Sequence, residues 1–134
     1  MTKTIKNSLD FTALDCWKKC REVKLLFYNE ILPILPEEEK YNLSSQIRRA
    51  SIGITSNIAE GYGRYHYQES IQYYRISRGS LYELKDHLIS CIDLNYIPKD
   101  LFDRMVAHLE EAIKLVNGFI RYIGKKKESS NEQA

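Results

Sequence analysis

Hydrophobic residues recur three or four positions apart along most of this chain, which is the spacing of an apolar stripe on an α-helix. No segment shows a convincing alternation of hydrophobic and polar residues, the pattern of a half-buried strand. The pattern therefore predicts an all-α protein with four amphipathic helices. These helices should lie at about residues 11–32, 36–60, 67–94 and 98–123.

Proline and glycine residues mark the expected ends of these helices. Pro33 and Pro36 should close the first helix and open the second, because proline is tolerated in the first turn of a helix but not inside it. Gly61 and Gly63 should stop the second helix in a left-handed cap. Pro98 should occupy the first position of the fourth helix.

The short connections between the helices predict the architecture. Short links join neighbours that run in opposite directions, so residues 11–123 should form an up-down-up-down antiparallel four-helix bundle. Residues 1–10 should be a polar N-terminal lead, and residues 124–134 should be a polar, disordered tail.

The first helix carries apolar residues on two faces. Val23 and Phe27 belong to one face, and Trp17 and Leu25 belong to the other. A helix of a lone bundle needs a single apolar stripe, so the second face predicts that the protein associates with itself.

Composition and charge set further limits on partners and compartment. The chain has 134 residues, 43% of them hydrophobic and 28% charged, which are ordinary values for one soluble domain. The net charge of +2 is too balanced to indicate nucleic-acid binding by itself, although residues 40–85 contain more basic than acidic side chains. Three cysteines, no apolar leader and no membrane-length run predict a cytoplasmic protein with reduced thiols and no membrane contact.

Polar residues interrupt the apolar stripe of the second helix. Asn57 falls in line with Ala50 and Ile54, so an amide should lie along the core face. Gly53 belongs to a second face of small or charged residues. An amide and a close-approach glycine in such positions usually specify one packing arrangement, so this helix should determine how the chain assembles.

Two motifs give the chain a family resemblance. Residues 46–64 read Gln-Ile-Arg-Arg-Ala-Ser-Ile-Gly-Ile-Thr-Ser-Asn-Ile-Ala-Glu-Gly-Tyr-Gly-Arg, and residues 79–83 read Gly-Ser-Leu-Tyr-Glu. With these motifs the chain resembles the bacterial four-helix-bundle proteins encoded in 23S rRNA intervening sequences. That resemblance implies that the protein forms a ring-shaped homopentamer. It implies no particular activity, because the family has no settled one. It also implies a relation to the accessory proteins of diversity-generating retroelements, which form basic pentameric barrels that engage a reverse transcriptase and RNA.

Several polar residues of these motifs should pair with one another. Counting outward from the turn at residues 61–66 brings Arg49 close to Glu83. The two residues could form an ion pair that braces the helices, or Arg48 and Arg49 could instead contact phosphate. We favour the ion pair, because a buried-side arginine commonly pairs with a carboxylate. Glu60 lies at the negative end of its helix dipole and should have a cation nearby, either Arg64 or Arg75. The residues expected to have structural roles are Arg48, Arg49, Asn57, Glu60, Gly61, Ser80 and Glu83.

Tyrosine and arginine residues crowd the predicted turn between the second and third helices. Interleaved aromatic and basic side chains can stack on bases and bind phosphates, and they are also enriched at subunit interfaces. An interface is the favoured use for most of them, and this region is still the best candidate for contact with RNA or DNA. The candidate nucleic-acid-binding residues are Arg64, Arg75, Arg78, Tyr62, Tyr65 and Tyr67.

The sequence carries no motif for a known chemistry. It has no phosphate-binding loop, dinucleotide fingerprint, zinc motif or nucleophile elbow, so we expect no cofactor, no metal site and no catalysis. Cys16 and Cys20 lie one helical turn apart but lack companion ligands. Arg104 and His108 are closer together than the Arg and His of all-helical toxin ribonucleases.

These observations favour a non-enzymatic oligomer that binds RNA, DNA or a nucleic-acid-associated partner. The alternatives are a protein-interaction scaffold without nucleic-acid binding and, less favoured, a ribonuclease.

Overall fold

The computed structural model describes residues 10–133, and every regular element in this part of the chain is helical. The main helices are α1 (Asp15–Leu26), α2 (Leu43–Tyr62), α3 (Tyr67–Asp93) and α4 (Lys99–Gln133). The predicted all-α class with four helices is therefore confirmed. The predicted polar lead lies outside the described residues except for Asp10.

Short irregular helices flank α1 and fill its connection to α2. A 3-10 turn at Phe11–Ala13 precedes α1, a π-helical turn at Phe27–Ile31 continues it, and 3-10 turns at Leu32–Ile34 and Glu37–Glu39 follow. The prediction that the second helix begins near residue 36 is wrong. Glu37–Glu39 forms only a 3-10 turn, and Asn42 has a non-helical backbone (φ −115°, ψ −100°), so the regular helix begins only at Leu43.

The end of α4 also differs from the prediction. The helix continues through Gln133, so it does not end near Ile123 and the segment after it is not a tail without structure. Gly124 does not adopt the left-handed conformation that caps helices. The lysine and glutamate residues that follow it favour helix, and the helix therefore propagates past this glycine.

The four helices enclose one hydrophobic core. Each helix packs against two others, with α1 on α2, α2 on α3, α3 on α4, and α4 on α1. Burying one large apolar side chain contributes about 1.5–3 kcal/mol, so this core is the main source of stability. The largest fully buried side chains include Phe27, Ile31, Ile47, Ile54, Ile58, Leu81, Leu84, Leu88, Met105 and Leu109.

Helices α2 and α3 pack closely against each other at Gly61. A Cβ atom on this glycine would lie 2.7 Å from Tyr74 Cε1 and 2.9 Å from the Ser70 carbonyl oxygen. The helix ends at Tyr62 with Gly63 as its C-cap, which confirms that it stops within residues 61–63. The predicted left-handed conformation is wrong, because neither glycine has a positive φ and Gly61 lies inside α2. Its function in the fold is to make room for α3.

Hydroxyl groups fill the rest of this contact. The Ser77 hydroxyl donates a hydrogen bond to the Ile54 carbonyl oxygen at 2.7 Å, and both residues are buried. A Cβ atom on Gly53 would lie 3.1 Å from Ser80 Oγ. Small residues on both helices therefore bring the two backbones together.

We predict opposite effects for two glycine substitutions. Gly61→Ala should lower the free energy of unfolding by about 1–3 kcal/mol, because the new methyl group overlaps the backbone and a buried ring of α3. Gly79→Ala should raise it by about 1 kcal/mol, because nothing lies within 4 Å of that position and alanine favours helix. Urea unfolding of both variants measures the difference, and equal effects would contradict the packing.

The three cysteines are buried and have free thiols. Burial raises the pKa of Cys20 from its usual 9.0 to about 12, and the pKa values of Cys16 and Cys91 to about 11. These thiols therefore stay protonated and unreactive at neutral pH. None of the helices in residues 10–133 has the length and apolar character needed to cross a membrane.

The raised thiol pKa values predict a loss of stability in alkali. Above pH 9.0 the unfolded chain releases thiol protons that the folded chain still holds, so the free energy of unfolding falls as pH rises toward about 12. Each such group contributes a slope of up to about 1.4 kcal/mol per pH unit. Urea unfolding between pH 8 and pH 11 should show a shallower decline in Cys20→Ala, and identical slopes would contradict the assignment.

Candidate nucleic-acid interface

Arg64, in the turn between α2 and α3, is held by neighbouring side chains. Its Nη2 atom lies 3.0 Å from Glu60 Oε2 and donates a hydrogen bond to the Tyr73 hydroxyl at 2.6 Å. Its Nη1 atom lies 3.5 Å from Glu69 Oε1, and the guanidinium lies over the Tyr73 ring. Arg64 is thus the cation that the sequence analysis expected beside Glu60. Two carboxylates offset its charge, which makes it a poor phosphate ligand.

The other two candidate arginines lie on α3. Arg78 is half-buried and donates a hydrogen bond from Nη1 to Asn117 Oδ1 of α4 at 2.8 Å. Arg75 is exposed, and among the side chains of residues 10–130 none pairs with it. Of the three predicted arginines, Arg75 is therefore the one without a side-chain partner, whereas Arg78 is held by a neutral amide and keeps its charge unpaired.

The three candidate tyrosines have different surroundings. The Tyr62 ring packs edge-on against Phe11, with ring centroids 6.5 Å apart. Tyr65 is 92% exposed and touches only the edge of the His66 ring among described aromatic residues. Tyr67 is exposed at the start of α3, beside the last turns of α4. Of the three, Tyr65 therefore has the most ring surface available to a base, and Tyr67 is the one that lies beside the last turns of α4.

The last turns of α4 bring three lysines to these tyrosines. One groove is lined by Tyr65, Tyr67 and Lys127, and the groove beside it by Tyr67, Tyr122, Lys125 and Lys126. We call this set of six residues the tyrosine–lysine cluster. Sequence reasoning missed its lysines because it assigned residues 124–134 to a disordered tail.

One lysine of the cluster lies against an aromatic ring of the cluster. Lys126 Nζ lies 5.1 Å from the centre of the Tyr122 ring. A hydrogen bond with the Tyr122 hydroxyl raises the pKa of Lys126, so this ammonium is charged at neutral pH. Lys125 is exposed and Lys127 is half-buried in the wall of the groove. The cluster therefore combines exposed aromatic rings with positive charge.

The motif residues of α2 and α3 form contacts within one chain. Arg49 Nη2 lies 3.7 Å from Glu83 Oε2, which is the contact that counting from the turn predicts. Glu83 also lies 3.2 Å from His87 Nε2. Because Arg49 is 73% exposed, this ion pair contributes at most about 1 kcal/mol.

The remaining motif residues lie at the edge of the core or on the surface. Asn57 is half-buried, and its Nδ2 donates a hydrogen bond to the Gly53 carbonyl oxygen of its own helix at 2.9 Å. Ser80 is half-buried opposite Gly53. Arg48 is exposed, and no partner for it occurs in the described part of the chain.

Arg104 and His108, the pair considered for ribonuclease activity, each contact another element. Arg104 contacts the π-helical turn, and His108 contacts α1. Arg104 Nη2 lies 3.3 Å from Glu30 Oε1, and Lys19 Nζ lies 2.9 Å from His108 Nδ1. No group of three residues suited to a metal ion occurs within residues 10–133.

The sequence model of the family described as 23S rRNA-intervening sequence protein matches residues 12–118, which is most of the chain. The chain belongs to this family. The family match includes both motifs and Tyr65 and Tyr67, and it ends before Lys125.

A known crystal structure has a similar fold. It is that of a protein of unknown function from the S23 ribosomal protein family of Bacteroides thetaiotaomicron VPI-5482. The TM-score is 0.72 at 23% sequence identity, over 79% of this chain and 95% of that one. Among curated proteins, none is similar enough in sequence to count as a match.

We predict that Arg64 and Arg75 differ in their effect on stability. Arg64→Ala should lower the free energy of unfolding by about 1 kcal/mol, because it removes two ion pairs and a ring contact at a partly exposed site. Arg75→Ala should leave it within about 0.5 kcal/mol of the unchanged protein. Urea unfolding at low and high salt measures both values. A larger loss for Arg75→Ala would contradict the contacts described here.

Proposed function

We propose that this protein is a non-enzymatic oligomer that binds single-stranded RNA or DNA at the tyrosine–lysine cluster. The observation that carries the proposal is the position of the exposed Tyr65 and Tyr67 rings beside Lys125, Lys126 and Lys127. Aromatic side chains stack on the bases of single strands, and nearby cations attract the phosphates. Neither interaction requires a fixed base sequence, so the binding should tolerate different sequences.

An up-down-up-down order of the four helices is part of this proposal. The register of contacts between α2 and α3 supports it, because Arg49 of α2 meets Glu83 while the later Ile54 meets the earlier Ser77. The contacts between α3 and α4 follow the same reversed order. Antiparallel neighbours are also what short connections favour.

Assembly into a ring-shaped homopentamer is the second part of the proposal. Apolar side chains remain exposed on three helices, among them Leu25 of α1, Ile52 of α2 and Ile76 of α3. Exposed apolar groups on several faces are typical of proteins that bury them against further copies. A ring would also repeat the tyrosine–lysine cluster, so several weak contacts with one strand would act together.

The absence of catalysis and a cytoplasmic location complete the proposal. Arg104 and His108 are engaged by Glu30 and Lys19, which favours a structural function for this pair. The buried, unpaired thiols favour a reducing compartment.

A protein-interaction scaffold is the competing function. It is favoured by Arg64 and Arg78, whose guanidinium groups already have partners within the chain. A scaffold would keep its oligomeric mass and ignore nucleic acid.

We predict that the native mass of the pure protein is that of a pentamer and that it increases with a mixed pool of single-stranded RNA at low salt. The added RNA mass should fall at moderate salt, because binding releases counterions. Lys127→Glu should weaken binding several-fold, and Tyr65→Ala should weaken it by about 1–3 kcal/mol. The matched control is Lys18→Glu, an equal charge change on an exposed site of α1.

Each other outcome of this measurement opposes one part of the proposal. A pentamer that stays free of RNA would support the scaffold, and shortened RNA would support the ribonuclease. A monomer would contradict the proposed assembly. Equal weakening by Lys127→Glu and Lys18→Glu would place the binding outside the tyrosine–lysine cluster.

A further inference from the structure

A further groove, separate from the two at the tyrosine–lysine cluster, lies between α3 and α4 and is lined by basic side chains from both helices. Lys85 lines it from α3, and Lys114 and Arg121 line it from α4. Asn117 lies in the same groove and accepts the hydrogen bond from Arg78. We call this groove, together with the exposed Arg75, the basic groove.

Helical spacing aligns these cations into two rows. On α3, Arg75, Arg78 and Lys85 are separated by three and seven residues, so all three lie on one face. On α4, Lys114 and Arg121 are seven residues apart, which is close to two helical turns. Lys85, Lys114 and Arg121 line the groove itself, and Arg78 and Arg75 continue the α3 row toward the start of that helix.

The basic groove leads to the tyrosine–lysine cluster. On α4, Lys125 follows Arg121 by four residues on the same face, and it lines the groove that contains Tyr67. The groove and the cluster therefore form one path along the outside of α4. Helical rise gives about 20 Å from Lys114 to Lys127.

An ion pair with an acidic residue weakens this charge at the far end of the groove. Glu110 lines the groove, and its Oε2 atom lies 4.0 Å from Lys85 Nζ, so this lysine is partly neutralised. Lys114 and Arg121 are exposed, and in the described part of the chain no carboxylate pairs with either. Positive charge is therefore strongest in the half of the groove nearest the cluster.

We propose that the basic groove holds the phosphodiester backbone of the same single strand whose bases stack at the tyrosine–lysine cluster. This inference rests on the proposed function and adds to it the path and length of the bound strand. At the ~3.4 Å per nucleotide of a stacked strand, the path accommodates about six nucleotides. The bases would stack at the tyrosine–lysine cluster, and the phosphates would contact the cations along the basic groove.

The side chains of the groove suit a phosphate chain better than they suit bases. Tyr82 is the one aromatic residue that lines it among the described residues, and the other lining groups are three cations, an amide, one carboxylate and the apolar Ile113. Arg78 is already oriented by its hydrogen bond to Asn117, so less side-chain freedom is lost on binding. Exposed lysine and arginine heads contact hydrated phosphates without a large desolvation cost.

The test uses a single-stranded chain of sugar and phosphate without bases, labelled for fluorescence anisotropy, beside an RNA of the same length. Lys114→Glu with Arg121→Glu removes the central charges of the groove. Lys18→Glu with Arg21→Glu makes the same two charge changes on exposed sites of α1 and is the matched control. Urea unfolding of each variant shows that the fold is retained.

We expect the unchanged protein to bind the chain without bases at low salt, with affinity rising until the chain reaches about six nucleotides. The groove variant should bind it at least tenfold more weakly, and its salt dependence should fall by about 1.4 in log–log slope, which is ~0.7 for each lost phosphate contact. The α1 control should be unaffected. Tyr65→Ala should weaken RNA binding and leave the chain without bases unaffected.

The outcomes separate this inference from the proposed function. If the groove variant and the α1 control bind the chain without bases equally, the inference is overturned, and RNA binding that depends on Lys127 and Tyr65 would still support the cluster. If the chain without bases needs the groove but RNA is insensitive to Tyr65→Ala, the groove stands and the cluster is wrong. Failure to bind either chain overturns both.

Discussion

The close packing of α2 against α3 at Gly61 is the constraint on which the rest of this structure depends. No larger residue fits there, because Tyr74 and the backbone of Ser70 occupy the space of a side chain. The contact fixes how the two helices are aligned next to the turn that joins them. That alignment brings Arg64 over the Tyr73 ring and between two carboxylates. The turn is thereby braced from within, and the rings of Tyr65 and Tyr67 remain outside it.

The distribution of partners among the basic residues explains how a chain of net charge +2 can present a positive face. Arg49 and Arg64 lie beside carboxylates, so neighbouring negative charges largely offset their positive charges. Lys114, Arg121 and Lys125 lie on one exposed face of α4, where no described carboxylate pairs with them. The local distribution of charge decides where a polyanion binds, and the net charge of the chain does not show that distribution.

Sequence reasoning was most successful where a short-range rule applies. The spacing of apolar residues predicts the four helices, and counting across a tight turn predicts the contact between Arg49 and Glu83. It failed where two local preferences compete. Pro36 favours an early start of α2, yet the 3-10 turn at Glu37–Glu39 and the non-helical backbone of Asn42 delay that start to Leu43. Gly124 favoured an early end of α4, yet the residues after it continue the helix.

The second of these failures concealed half of the candidate site. A tail without structure offers no fixed position for Lys125, Lys126 and Lys127, so their proximity to Tyr67 could be recognised only once the helix was seen to continue.

The family match ends at residue 118, so it covers the helices that hold Tyr65 and Tyr67 in place but not these lysines. The similar structure at 23% identity likewise shows the shared fold and not a shared ligand. Membership of the family therefore accounts for the four-helix scaffold, whereas the three lysines are an observation on this chain alone.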